Sequence, residues 1–117
     1  EHHFAGMKRL LKDDERSEKI KEAISHDEPQ QAFDGSQLAI MEYARKLTLT
    51  PANMVRDDVT TLQEAGIDDG EILEINQVVS YFSYANRTVL GLGVNTVDDI
   101  IGLSPNNSDD PDNWNHT

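Results

Sequence analysis

The sequence predicts an all-α protein. Apolar residues recur at spacings of three and four, as on one face of a helix, and no stretch shows the clean alternation of a half-buried strand. The segments between these runs contain Pro, Gly and Asp, which favour turns. The chain has 117 residues, enough for one domain or part of one. We therefore expect four or five antiparallel helices joined by short loops.

Two amphipathic helices are predicted in the first part of the chain, over about residues 1–12 and 15–25. Their apolar residues are Phe4, Met7, Leu10 and Leu11 in the first, and Ile20, Ala23 and Ile24 in the second. Asp13 and Asp14 separate the two. Because these stripes are narrow, we expect the bundle to be incomplete at its N-terminus, with a partner helix supplied by an upstream part of the protein or by another subunit.

Two better-defined helices are predicted in the middle of the chain, over about residues 37–49 and 56–65. The stretch before them, about residues 26–35, is rich in turn-forming residues and is predicted to be a loop. Pro51 ends the first of these helices, because the residue before a proline disfavours the helical region. Gly66 ends the second, since a glycine is the usual residue just beyond a helix.

The clearest helix is predicted over about residues 69–90. Asp68 and Glu71 have the spacing of a capping box at its start, and Gly91 marks its end. Apolar residues fall on several of its faces, and such a helix is usually buried centrally. Residues 95–117 form an acidic tail, which we predict to be largely irregular.

Composition excludes several classes of function. Asp and Glu number 22 against 10 Lys and Arg, so the net charge is −12. A surface this acidic repels phosphate backbones, which argues against nucleic-acid binding and against anionic membranes. No apolar run is long enough to span a membrane, and no signal peptide is recognisable. The absence of cysteine excludes disulfides and thiol chemistry within these residues. We expect a soluble, cytoplasmic protein.

Histidine is the residue type in this chain that is best suited to proton transfer or metal binding. The four histidines are His2, His3, His26 and His116. His2 and His3 are neighbours and point in different directions on a helix, so they cannot hold one metal in the i, i+4 manner. His26 and His116 lie in polar segments. We therefore expect no metal and no cofactor.

One polar pair lies within the most apolar helix. Asn86 and Arg87 follow directly after a run of aromatic residues. Since buried polar groups must be paired, we expect Arg87 to bind a carboxylate across a helix or subunit boundary. A buried ion pair that holds the bundle is favoured over a substrate contact.

Three stretches, in this order along the chain, resemble one known family. Residues 41–51 read MEYARKLTLTP, residues 62–73 read LQEAGIDDGEIL, and residues 78–87 read VVSYFSYANR, with GLGV at residues 91–94. They resemble the peroxidase-related branch of the carboxymuconolactone decarboxylase and alkylhydroperoxidase AhpD-like family. The resemblance implies that residues 1–94 are the C-terminal part of an AhpD-like helical bundle.

The same resemblance implies where the chemistry lies. The family carries Cys-x-x-Cys-x-x-x-His on a helix, with a glutamate upstream, and the branch often continues with a second histidine. In this register the second Cys falls two positions before Glu1, and His3 matches the histidine that relays protons. With a register shifted by one, His2 takes that place. Both cysteines and the upstream glutamate are absent from this chain.

The function implied by the resemblance is peroxide reduction by a longer antioxidant protein. Its upstream cysteine pair would reduce a peroxide and be reduced again by a thiol or lipoyl-type partner, and the family leads us to expect a homo-oligomer. Two alternatives stay open. One is a decarboxylase-like lyase on the same fold, with His as general acid or base. The other is a helical oligomerisation module without catalytic activity.

Overall fold

The computed structural model describes residues 2–95 and Val97, except the side chains of His2, His3 and Ala5. The described residues form five α-helices and no strand, which confirms the all-α prediction for this part of the chain. The helices are α1 (His2–Leu11), α2 (Asp14–Ser25), α3 (Gly35–Leu49), α4 (Arg56–Glu64) and α5 (Asp69–Gly91). Short 3-10 helices, Pro29–Gln31 and Pro51–Asn53, lie before and after α3. Nearly all of the predicted tail lies outside the described residues.

The helix boundaries follow the capping signals in the sequence. The N–H of Arg16 donates to the Asp13 carboxylate at 3.0 Å, so the acidic pair between the first two helices begins α2. At the start of α5, the Asp68 and Glu71 side chains each accept from the other residue's N–H at 2.9 Å. This reciprocal pair confirms the predicted capping box. Gly66, with a φ of 89°, follows α4.

Helices α1 and α2 form an antiparallel hairpin. Lys8 of α1 donates to Glu18 of α2 at 3.2 Å, and Phe4 of α1 lies under the Lys21 ammonium, 4.8 Å from the ring centre. The buried residues of this hairpin are on α2, where Ala23 is fully buried. Among the described elements, α1 contacts α2 alone.

The main core lies between α3, α4 and α5. Tyr43, Leu62, Ile67 and Ile72 form its buried cluster. Half-buried residues packed against this cluster are Ala39, Ile40, Leu47, Met54, Val59 and Ile75. Burial of the Tyr43 ring also buries its hydroxyl. This hydroxyl accepts a hydrogen bond from the Asn76 side chain at 2.9 Å. One polar contact therefore joins α3 to α5 inside the apolar cluster, as a buried hydroxyl requires.

The predicted central burial of α5 is wrong. Only Ile72 of its 23 residues is buried, while Tyr81, Tyr84 and Leu90 are 63%, 70% and 76% exposed. The reason is that α3 and α4 are the only described helices that pack against α5, and they cover one side of it. No described helix is both long enough and apolar enough to cross a membrane.

Candidate functional site

The residue that the family resemblance singles out lies at the start of α1. The backbone of His3 forms part of the first turn of that helix, and so does the backbone of His2. The side chains of both lie outside the described part of the structure. The role of His3 as a proton relay therefore stays a prediction.

A metal site is not built by the described residues. No group of three or more His, Cys, Asp or Glu within that part of the chain could hold an ion. His26 is exposed, and its Nδ1 lies 3.0 Å from the carbonyl oxygen of Glu22, one turn earlier. Its ring nitrogen thus bonds a carbonyl oxygen in the last turn of α2. His116 lies outside the described residues.

A groove lies between α3 and α5. Its volume is about 490 Å³. The walls combine apolar residues from the end of α3 and the 3-10 helix after it with hydroxyl groups and one cation from α5. They are Leu47, Pro51, Ser80, Ser83, Tyr84, Arg87 and Thr88. The groove is open to solvent along α5, where Tyr84 and Arg87 are both exposed.

The predicted pairing of Arg87 with a carboxylate across a helix boundary is wrong for the described residues, and a pairing across a subunit boundary stays a prediction. Both Asn86 and Arg87 are exposed, and no described carboxylate lies within ion-pair distance of the guanidinium. The physical reason is that the described helices cover only one side of α5, so Arg87 is exposed to solvent. Arg87 is left as a cation at the edge of a hydroxyl-lined groove.

The groove has the chemistry of a binding surface rather than of a catalytic centre. A guanidinium presents a fork of donors that suits a carboxylate or phosphate. The Thr88 hydroxyl donates to the Tyr84 carbonyl at 2.9 Å, so that hydroxyl already has a partner. No histidine, carboxylate or thiol lines the groove to act as a base or nucleophile. The structure does not bring His3 to it, because α1 contacts only α2 among the described elements.

An ion pair whose side chains are 34% and 19% exposed joins Lys46 of α3 to Asp58 of α4. The Lys46 ammonium is 2.7 and 2.8 Å from the two carboxylate oxygens of Asp58, and the N–H of Val55 donates to the same carboxylate at 2.8 Å. The hydrogen bond from Lys46, and after it the one from Val55, hold the pKa of Asp58 below its usual value. This arrangement begins α4 and fixes it to α3, so we assign it a structural role.

A second ion pair joins the turn after α2 to helix α3. Both oxygens of Asp27, in the turn after α2, accept from the Arg45 guanidinium of α3. This bidentate contact lowers the pKa of the Asp27 carboxyl and raises the pKa of Arg45. Both side chains are about half exposed. Arg45 is thereby engaged and does not offer a free cation to a ligand.

Comparison of the chain with protein-family models, with curated proteins and with solved structures found no match in any of the three.

Only part of the groove could be recognised from the sequence. Arg87 is singled out by the sequence, and it does line the groove. Ser80 and Ser83 were not recognised, although they precede Arg87 by seven and four residues, as on one helix face. Leu47 lies on a different helix, and only tertiary structure brings it there.

Proposed function

We propose that this chain is the C-terminal portion of an alkylhydroperoxidase-like antioxidant protein of the AhpD-like family. The observation that carries the proposal is the coincidence of the family-like segments with the core. All four buried residues of the main cluster, Tyr43, Leu62, Ile67 and Ile72, belong to the first two of these segments. Asn76, which donates to Tyr43, lies just before the third. Segments that resemble the family in order along the chain thus pack together.

The chemistry of the proposal depends on a cysteine pair upstream of Glu1. One thiolate would attack the O–O bond of a hydroperoxide, which gives a sulfenic acid and releases an alcohol or water. The second thiol would condense with the sulfenic acid, which forms a disulfide and releases one water. A dithiol reductant would return the two electrons and regenerate both thiols. His3 would relay the protons.

The decisive experiment begins with the upstream coding sequence. We expect a Cys at the second position before Glu1 and another three positions earlier. The longer protein should reduce hydrogen peroxide or an organic hydroperoxide with a dithiol as reductant. Replacing either Cys by Ser should abolish turnover, whereas the 117-residue chain should show none.

A matched pair of histidine variants tests the relay. His3→Gln in the longer protein should lower the turnover number and alter its pH profile. His26→Gln should change neither, because His26 is exposed and its ring is bonded to the Glu22 carbonyl of its own helix. An upstream sequence without a Cys at the expected position would overturn the proposal, as would equal effects of the two histidine variants.

A further inference from the structure

The groove between α3 and α5 holds one cation in surroundings that are poor in charge. Arg87 is the single charged residue among the described residues that line it. It is also the single charged residue between Ile75 and Leu92 in the sequence, although 27% of all residues are charged. Within the described part of the chain, the Arg87 guanidinium has neither an ion pair nor a hydrogen bond. Its donors are therefore available to a ligand.

Arg87 differs in this respect from the cations that hold the fold together. Lys8, Arg45 and Lys46 each bind a carboxylate of another element of the structure. A contact between two elements explains why those three cations lie where they do. It does not explain Arg87, which lies on an uncharged stretch of α5 and faces a groove.

Two serine hydroxyls on the same wall of the groove are also unpaired. Thr61 and Thr88 donate to the carbonyl oxygen four residues earlier, each at 2.9 Å, as hydroxyls on helices often do. Ser80 and Ser83 make no such bond within the described residues. They precede Arg87 by seven and four residues, which places all three side chains on one face of α5. Two hydroxyl donors therefore lie beside the guanidinium.

The opposite wall of the groove is apolar. It is formed by Leu47, which is half-buried at the end of α3, and by Pro51 in the 3-10 helix that follows. The volume of about 490 Å³ lies within the usual range of small-ligand sites, about 300–1,000 Å³. An apolar surface opposite a few convergent polar groups is the general form of such a site.

We propose that this groove binds a small monocarboxylate with an apolar body. The planar fork of the Arg87 guanidinium suits both oxygens of one carboxylate. The hydroxyls of Ser80 and Ser83 can donate to the remaining lone pairs of those oxygens. The apolar body of the ligand then lies against Leu47 and Pro51, where its removal from water stabilises the complex.

Charge selects a carboxylate over a phosphate. Phosphate sites commonly use backbone N–H groups at the start of a helix, where the helix dipole is positive. This groove lies instead toward the C-terminal ends of α3 and α5, where the dipole is negative. With Arg87 as its one cation, in a chain of net charge −12, the groove compensates one negative charge and not two.

Titration of the ¹⁵N-labelled whole chain with sodium hexanoate, followed by NMR, tests the proposal. We expect saturable shifts of the backbone amides of Ser80, Ser83 and Arg87, with a Kd on the order of millimolar because the ligand has few atoms. Hexanamide keeps the shape and removes the charge, whereas hexyl phosphate can carry a second charge. Each should bind at least fivefold more weakly than hexanoate.

A matched pair of arginine variants tests the role of the guanidinium. Arg87→Gln should weaken hexanoate binding at least tenfold, and Arg87→Lys should fall between Arg87→Gln and the native chain, because an ammonium lacks the planar fork. Arg56→Gln is the control, since Arg56 is also exposed, has no described ion pair and lies outside the groove. It should bind as the native chain does. Circular dichroism should show unchanged helix content in all three variants.

Three results would overturn the proposal. They are the absence of saturable shifts up to about 50 mM hexanoate, well above a millimolar Kd, equal losses for Arg87→Gln and Arg56→Gln, and hexanamide binding as tight as that of hexanoate. The proposal is independent of the redox chemistry proposed above, because the structure does not bring His3 to the groove. Binding is expected in the 117-residue chain itself, whatever the upstream sequence contains.

Discussion

The side chain of Asp58 joins the start of α4 to α3. Its carboxylate accepts from the N–H of Val55 at the start of α4 and from the Lys46 ammonium of α3. Replacing it with Asn removes the charge and weakens both contacts, so we expect Asp58→Asn to lower the urea midpoint measured by circular dichroism. Asp57→Asn makes the same change of charge one residue earlier and should have a smaller effect. Equal midpoints for the two variants would contradict the assigned role.

The same residue predicts the pH dependence of stability. The pKa of Asp58 is lowered in the folded chain from an ordinary value of 3.8. Its interactions therefore stabilise the fold fully above pH 3.8, and this contribution is lost as the pH falls from there through the folded pKa. Between pH 5 and pH 2, the free energy of unfolding should fall more steeply for the native chain than for Asp58→Asn. Parallel curves would contradict this prediction.

The hydrogen bond between Tyr43 and Asn76 is a second point at which one residue joins two helices. Tyr43 is 7% exposed, and its hydroxyl accepts from the Asn76 side chain at 2.9 Å. Tyr43→Phe should cost about 1 kcal/mol of unfolding free energy, the usual net value of such a bond. Tyr84→Phe changes an exposed hydroxyl and should cost less than about 0.5 kcal/mol. A double-mutant cycle with Asn76→Ala should show coupling, and additive effects would refute the interaction.

Among the elements, the turn between α4 and α5 depends most on one backbone conformation. Gly66 has a φ of 89°, and directly after it the chain inserts Ile67 into the core. Gly66→Ala should destabilise by about 1–2 kcal/mol, because a side chain disfavours positive φ. Gly6 lies within α1 with open space around it, so Gly6→Ala should stabilise by about 0.5–1 kcal/mol. Thermal unfolding of the two variants should therefore shift in opposite directions.

Helix positions were predictable from the sequence because their signals are local. The capping box at Asp68 and Glu71, the proline after α3 and Gly66 each act within a few residues, and each lies where the sequence predicted a boundary. The short helix Pro29–Gln31 was predicted as loop, since a single 3-10 turn has no apolar periodicity to detect. Its buried proline packs against α2, which is a tertiary effect.

For the whole molecule, burial was harder to predict than secondary structure. The apolar faces of α5 predicted burial on several sides, but the described helices cover only one side of it. The described structure leaves Tyr81 and Tyr84 exposed, together with Arg87. The groove could be predicted only in part for a similar reason. Leu47 and Ser80 lie on two different helices, whereas apolar periodicity describes the faces of a single helix.

The charge of the whole molecule gives a last prediction. A net charge of −12 on 117 residues destabilises a compact chain by self-repulsion. Added salt screens this repulsion, and it also weakens the few exposed ion pairs, such as Lys8 with Glu18 and Asp27 with Arg45. Because 22 acidic residues face 10 basic ones, relief of repulsion should dominate. The thermal midpoint of the native chain should therefore rise between 20 and 300 mM NaCl. A falling midpoint would mean that the ion pairs stabilise the fold more than the net charge opposes it.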